Sequence, residues 1–254
     1  MRRRHTAAAA IGLLLITGAT GALADATTRR IGTSFEDTFQ SFDLNRWQKG
    51  HGWSNGTYMG CAWNARNLAV QGGTLLLSIT DRPTTREAYS CAEYQTTHHY
   101  GYGTYSVNLK AVKADGVMTS VSHYTGPPFN DPWDEITLGI AGKDTTRLEI
   151  SYVVNGTGYR NTVIDLGFDA SADFHTYGFD WKPDRITWLV DGKPVHTVTG
   201  KPGQLPMMPG RLYVQFWNGI GAGEWLKQFK YPRQPLTAQV AHVSFKEEAA
   251  TLNN

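Results

Sequence analysis

The sequence predicts an all-β protein built as a single antiparallel β-sandwich with a curved sheet, and three observations carry that expectation. Short segments with β-branched or aromatic residues and partial period-2 alternation recur along the 254-residue chain, punctuated by turn residues. Beyond the N-terminus no convincing helical period is found. More than ten such segments follow one another without a composition break, a Ser/Gly linker or an internal repeat, which favours one domain over an array.

Taken in order, the chain starts with Arg2-Arg3-Arg4, an apolar stretch from Ala7 to Ala22 broken only by small residues, and Ala22-Leu23-Ala24. This is the layout of a secretory signal peptide, so residues 1–24 are expected to be removed and residues 25–254 to form the mature, secreted or periplasmic domain. No later stretch approaches the ~20 apolar residues of a membrane helix. Strands are expected at 74–81, 103–110, 174–181 and 211–217. Residues 186–190 and 193–198 form a hairpin, because Asp191-Gly192 suits the positive φ angles of a two-residue type I′ turn. The only helical expectations are single turns at 169–172 and 222–227.

Composition narrows the function. With 41% hydrophobic, 12% aromatic and 18% charged residues, the chain is globular; disorder, collagen and coiled coil are excluded. The formal charge of +2 includes the leader, and removing its three Arg takes Lys+Arg from 24 to 21 against 22 acidic residues, a net charge of −1. Nucleic-acid binding therefore lacks its electrostatic term. A monomer without cofactor or metal is expected. The two cysteines, Cys61 and Cys91, most simply form one disulfide in an exported chain, since a metal site would lack CxxC or nearby His spacing. His98-His99 falls on adjacent strand residues that point to opposite faces. Asn55-Gly-Thr57 and Asn155-Gly-Thr157 match glycosylation sequons but read first as turns.

The aromatics give the first functional hint. Trp53, Tyr58, Trp63, Tyr124, Trp133, Trp217 and Trp225 lie in or beside Gly/Asn-rich turns, an arrangement that suits stacking on the apolar faces of sugars. The alternative is that the rings fill the core, and about half are expected in each role. The chemistry centres on Trp133-Asp-Glu-Ile-Thr-Leu-Gly-Ile-Ala-Gly-Lys-Asp-Thr-Thr-Arg-Leu-Glu-Ile-Ser-Tyr152. This segment resembles the bacterial 1,3-1,4-β-glucanases, or lichenases, of glycoside hydrolase family 16. The resemblance continues through Tyr100-Gly-Tyr-Gly, Tyr124-Thr-Gly-Pro, Leu166-Gly-Phe-Asp-Ala-Ser, Phe174-His-Thr-Tyr, Phe179-Asp-Trp and Trp217-Asn-Gly. It implies a β-jelly-roll with a concave face for a linear β-glucan cut at internal bonds, and a disulfide between Cys61 and Cys91.

The family's catalytic strand reads Glu-Ile-Asp-Ile/Phe-Glu, and alternation puts its three carboxylates on the cleft face. Glu135 matches the nucleophile, but the assisting Asp has become Thr137 and the general acid/base has become Gly139. Retaining hydrolysis needs a second carboxyl about 5 to 5.5 Å from the nucleophile. With Gly142-Lys143-Asp144 as a hairpin tip, Ala141 would face Thr145, Gly139 would face Arg147, Thr137 would face Glu149 and Glu135 would face Ser151. Glu149 would then share the cleft face diagonally from Glu135, at about 7 to 8 Å between backbones. A one-residue slip would turn it away.

Three readings of Glu149 stay open: a solvated residue paired with Arg147 or Arg160, a replacement acid, or a sugar-binding acceptor. Asp131 lies in a loop; Asp134 should point away from the cleft. Other departures from the family are Gln95 after the cleft residue Glu93, Ser122 before Tyr124, Gln215, and Ala241 in place of a calcium-site carboxylate. Sugar contacts are expected from Trp53, Asn55, Glu93, Tyr124, Trp133, Thr137, Ser151, Gln215, Trp217 and Trp225. The chain is then either a β-glucan hydrolase or transglycosylase with Glu135 as nucleophile, or a glucan-binding module on the same fold.

Overall fold

The computed structural model describes residues 29–85, 87–220 and 223–248, so the leader expected at 1–24 lies outside the described residues. The strands are β1 (Phe35–Asp37), β2 (Trp47–Lys49), β3 (Cys61–Trp63), β4 (Leu68–Gln71), β5 (Thr74–Ile79), β6 (Tyr89–Thr96), β7 (Gly103–Lys110) and β8 (Val117–Thr125). They continue with β9 (Asp134–Ala141), β10 (Arg147–Val154), β11 (Thr157–Asp165), β12 (His175–Lys182), β13 (Arg185–Val190), β14 (Lys193–Thr199), β15 (Arg211–Asn218) and β16 (Leu236–Glu247). One sheet runs β14-β13-β12-β7-β16-β5-β4, with β1 also on β16; the other runs β11-β10-β9-β8-β15-β6-β2, with β3 beside β6. Only the short β3–β6 pair is parallel among the described strands. The all-β sandwich is as the sequence predicts.

Alternation fixes what lies between the sheets. Along β5, β7 and β13 every second residue is buried, and the inward rings include Tyr105, Tyr177, Phe179, Trp181 and Trp188. Trp47, Trp63, Trp181 and Trp188 are wholly buried, while Trp53, Trp133 and Trp225 keep partial exposure, so the tryptophans do divide between core and surface. Core indoles keep their N–H groups satisfied: Trp188 donates to the Thr137 carbonyl at 3.3 Å and Trp181 to the Pro206 carbonyl at 3.0 Å.

The local expectations hold with shifts of one or two residues at the strand ends. Asp191 (φ 48°) and Gly192 (φ 73°) both adopt the left-handed region that the type I′ hairpin requires. The turns at 169–172 and 223–227 close one backbone hydrogen bond each and go no further, Ala172 to Asp169 at 2.9 Å and Lys227 to Gly223 at 3.1 Å. Two 3-10 turns were not expected: Ala65–Asn67, capped by the Asn64 side chain, and Pro127–Phe129, whose prolines pre-set the φ of its first turn. Cys61 and Cys91 are joined, with Cα atoms 5.7 Å apart. The bond ties β3 to β6, and closing a loop of about 30 residues stabilises by roughly 3 to 4 kcal/mol on the chain-entropy model.

One sequence expectation fails. In the β9–β10 hairpin Gly139 faces Glu149, Thr137 faces Ser151, and Glu135 faces Val153, two positions away from the expected register. The connection is five residues, 142–146, and its midpoint is Asp144. The Asp144 carboxylate accepts from the Thr146 backbone N–H at 3.2 Å and from its hydroxyl at 2.6 Å, an Asx-type turn that lengthens the tip. Thr145, wholly buried, donates at 2.5 Å to Asp169, whose same oxygen also accepts from the Ser171 N–H and hydroxyl. A shift of two residues preserves the face, so Glu149 still points to the side that carries Glu135.

Candidate active site

The outward face of the second sheet forms the floor of a cleft of about 850 Å³. Its side chains fall in rows across the strands. One row runs Glu93 (β6), Gln215 (β15), Ser120 (β8), Gly139 (β9) and Glu149 (β10). The next runs Gln95, Tyr213, Ser122, Thr137, Ser151 and Asn161, and a third pairs Arg211, Tyr124 and Glu135. The 3-10 turn at Pro127–Phe129, with Asp131, Pro132 and Trp133, lines one side; Trp53, Asn55 and Tyr58 come from the loop before β3.

Both oxygens of Glu135 are engaged. Trp133 Nε1 donates to Oε2 at 2.9 Å and Thr137 Oγ1 to Oε1 at 2.8 Å. Thr137 thus supplies a neutral donor where the family's strand has an Asp. Burial raises the Glu135 pKa above the usual carboxylate value, and the two donors pull it back.

Glu149 is held differently. Trp225 Nε1 donates to its Oε2 at 2.8 Å and is the one side-chain donor to this carboxyl among the described residues. Burial raises its pKa too, opposed first by that hydrogen bond and then by the charge of Lys143. Pairing with Arg147 or Arg160 does not occur: Arg147 meets Asp165 at 3.1 Å and Asp144 at 3.6 Å, and the Arg160 guanidinium lies over Tyr152. Glu149 is directly opposite Gly139, the position emptied of the family's acid. Part of the space above Gly139 is taken by Met118, whose Sδ would lie 2.8 Å from a Cβ added there.

The third carboxyl, Glu93, is wholly buried and accepts from Gln215 Nε2 at 2.7 Å and Gln95 Nε2 at 3.1 Å. Burial pushes its pKa up to about 7, moderated by hydrogen bonds from Gln215 and Asn55 and by the Arg211 charge. The Gln95 that replaces the family's Arg accepts from Arg211 Nη1 at 3.3 Å, so the guanidinium near Glu93 is supplied from β15. Ser120 Oγ donates to Gln215 Oε1 at 3.3 Å, and Trp217 Nε1 to Ser120 at 3.4 Å, continuing the network along the row.

The expected sugar contacts Trp53, Asn55, Glu93, Tyr124, Trp133, Thr137, Ser151, Gln215 and Trp217 all line the cleft. Trp225 does not; it donates to Glu149 and packs on Trp217 with ring centroids 5.8 Å apart. Asn55 accepts from Trp63 Nε1 at 2.9 Å, and Asn155 sits in a turn at φ 48°. Asp134 points away from the cleft as alternation requires, accepting from the backbone N–H groups of Asn155, Met207 and Met208. Asp131 does reach the cleft wall, where Arg29 and Thr125 donate to it. Arg211, Tyr213, Ser120, Met118 and Asn161 were missed, although period-2 steps from Gln215 along β15 pick out Arg211, Tyr213 and Trp217.

Three comparisons agree with this geometry. Residues 55–237 match the family model described as "Glycosyl hydrolases family 16". The chain is 39% identical over 221 residues to a β-glucanase of Bacillus licheniformis, covering 85% of this chain and 89% of that one. To the β-glucanase of Bacillus subtilis strain 168 it is 41% identical over 224 residues, with the same coverage. The solved B. licheniformis β-glucanase superposes with a TM-score of 0.80 over 85% of this chain and 99% of its own, at 39% identity. A prokaryotic β-1,3-1,4-glucanase from a mouse hindgut metagenome gives 0.80 at 40% identity, covering 85% and 100%. The chain belongs to glycoside hydrolase family 16.

Proposed function

We propose that the chain is a secreted β-glucanase that cuts internal bonds of a linear β-glucan by a retaining mechanism, with Glu135 as nucleophile and Glu149 as acid/base. The observation that carries the reading is the placement of Glu149 opposite Gly139: the carboxyl missing from one strand is present on its neighbour, on the same face. Glu135, with a donor on each oxygen, is equipped to stay ionised and attack the anomeric carbon. Glu149, which lines the cleft with one oxygen engaged and the other without a side-chain donor among the described residues, is equipped to hold a proton and give it to the departing glycosidic oxygen. Glu149, now a carboxylate, takes a proton from the water that attacks the glycosyl-enzyme, the bond from the anomeric carbon to Glu135 breaks, and Glu135 is released as a carboxylate. Transfer to a second sugar hydroxyl instead of water would make the same site a transglycosylase.

The observed register also favours a second reading. Glu149 is four residues further along the sheet than Glu135, about 14 Å of strand at ~3.4 Å per residue, so two side chains leaning together must close more than the expected diagonal. A pair held too far apart for chemistry leaves a glucan-binding module with the same cleft. Incubation with mixed-linkage, β-1,3 and other β-glucans, with product lengths and anomeric configuration followed by NMR, separates the two. The proposal predicts oligosaccharides that first form as the β-anomer. Tight binding without cleavage on prolonged incubation selects the binding module, and first-formed α-anomer rejects the retaining mechanism.

A further inference from the structure

We infer that Trp225 is a positioning residue for the acid, and not a sugar platform; the inference rests on the reading of Glu149 given above. Four features support it. Its indole N–H points at Glu149 Oε2 at 2.8 Å, and its ring lies outside the cleft lining. The turn that carries it is anchored on both sides: Leu226 is wholly buried and its carbonyl accepts from the Gly116 N–H at 2.6 Å, while the Trp225 ring packs on Trp217. Lys143, in the β9–β10 connection, donates to the Glu224 carbonyl at 3.1 Å, so the turn is tied to the hairpin that presents Glu149. Lastly, Glu149 has no other side-chain donor among the described residues.

The chemistry follows from the donor's direction. An indole nitrogen only donates, so the oxygen it meets must offer a lone pair. In the protonated acid the carbonyl oxygen is the better acceptor, so the indole favours the form with the carbonyl at Oε2 and the proton on Oε1. When Oε1 gives that proton to the glycosidic oxygen, the carboxylate that forms already has a donor on Oε2. Trp225 thereby biases which oxygen carries the proton and stabilises the state the acid reaches in the transition state.

Trp225→Phe keeps a ring against Trp217 and removes the N–H. Loss of a hydrogen bond to the charged form raises the Glu149 pKa, and an acid acts only while protonated, so the basic limb of kcat/KM should move to higher pH, by about one unit. At its new plateau kcat on unactivated glucan should fall on the order of tenfold, with KM unchanged and with little effect on an aryl glycoside whose leaving group needs no proton. A raised KM with an unmoved basic limb would overturn the inference and return Trp225 to sugar binding. Failure of the underlying reading looks different: Glu149→Gln would then leave the basic limb in place. Should Trp225→Phe not fold, the unmodified protein still decides. Its Trp225 Hε1 resonance should titrate with the midpoint of the basic limb and stop doing so in Glu149→Gln; a pH-independent resonance would contradict the inference.

Discussion

Glu135 and Glu149 occupy neighbouring strands and each accepts an indole N–H, yet their surroundings diverge at the second oxygen. At Glu135 the other oxygen takes the Thr137 hydroxyl at 2.8 Å; at Glu149, which lines the cleft, the other oxygen has no side-chain donor among the described residues. Their supports differ as well. Trp133 and Thr137 are two residues away along the same strand direction, so Glu135 is held by its own segment and by alternation alone. Glu149 is held by a turn 76 residues later in the chain. The setting of Glu135 is thus local and that of Glu149 is tertiary; under the proposed roles, the nucleophile is held by its own segment and the acid by a distant turn. The proposed reading turns on that contrast.

The largest expected effect breaks the contrast at its local end. Glu135→Gln should abolish turnover of both unactivated glucan and aryl glycosides, because either needs the attacking carboxylate; measurable turnover of both would assign the nucleophile elsewhere. A sharper variant puts the acid at position 139. Gly139→Glu alone should gain nothing, since Met118 Sδ lies 2.8 Å from the new Cβ and must shift, and because Sδ is near the end of a flexible side chain the cost in stability, read from denaturant unfolding, should stay within about 1 kcal/mol. Combined with Met118→Ala and Glu149→Gln, the same change should recover glucan cleavage lost in Glu149→Gln. No recovery despite a folded protein would argue that position 139 and Glu149 do not serve the same step.

A smaller effect concerns Glu93, a carboxyl of the cleft with no part in the proposed proton transfers. Its folded pKa, pushed up by burial to about 7, lies above the ordinary carboxylate value of 4.5, so the native state holds a proton that the unfolded chain releases between those values. Stability should therefore fall as pH rises through that window, by about 3 kcal/mol for a shift of that size. Glu93→Gln should remove this dependence: its midpoint of thermal unfolding relative to the parent should rise between pH 5 and pH 8. A difference that stays flat would mean that the Glu93 carboxyl is not held protonated.

Much of this was legible in the sequence because period 2 is insensitive to partner choice. Alternation put Glu135, Thr137 and Glu149 on one face and Asp134 on the other, and a register error of two residues left those assignments intact. The partner of Glu149 was misread for a local reason: the Asx turn at Asp144 and the anchoring of Thr145 on Asp169 lengthen the hairpin tip, and neither changes the hydrophobic pattern. The bond from Trp225 to Glu149 joins a turn to a strand across 76 residues, and no spacing rule encodes it. Arg211 and Tyr213 are reachable by stepping two residues at a time along β15 from Gln215, since alternate residues of a strand share a face.

The proposed role of Glu149 as the acid is tested most directly by the kinetics of Glu149→Gln on two substrates. Against unactivated β-glucan, kcat should fall by about 10² to 10⁴, the range for loss of a general acid, with KM little changed. Against an aryl β-glucoside with a good leaving group, formation of the glycosyl-enzyme should continue at close to the parent rate, visible as a burst of released phenol. Glucan turnover equal to the parent's would contradict the account, as would an equal loss on both substrates.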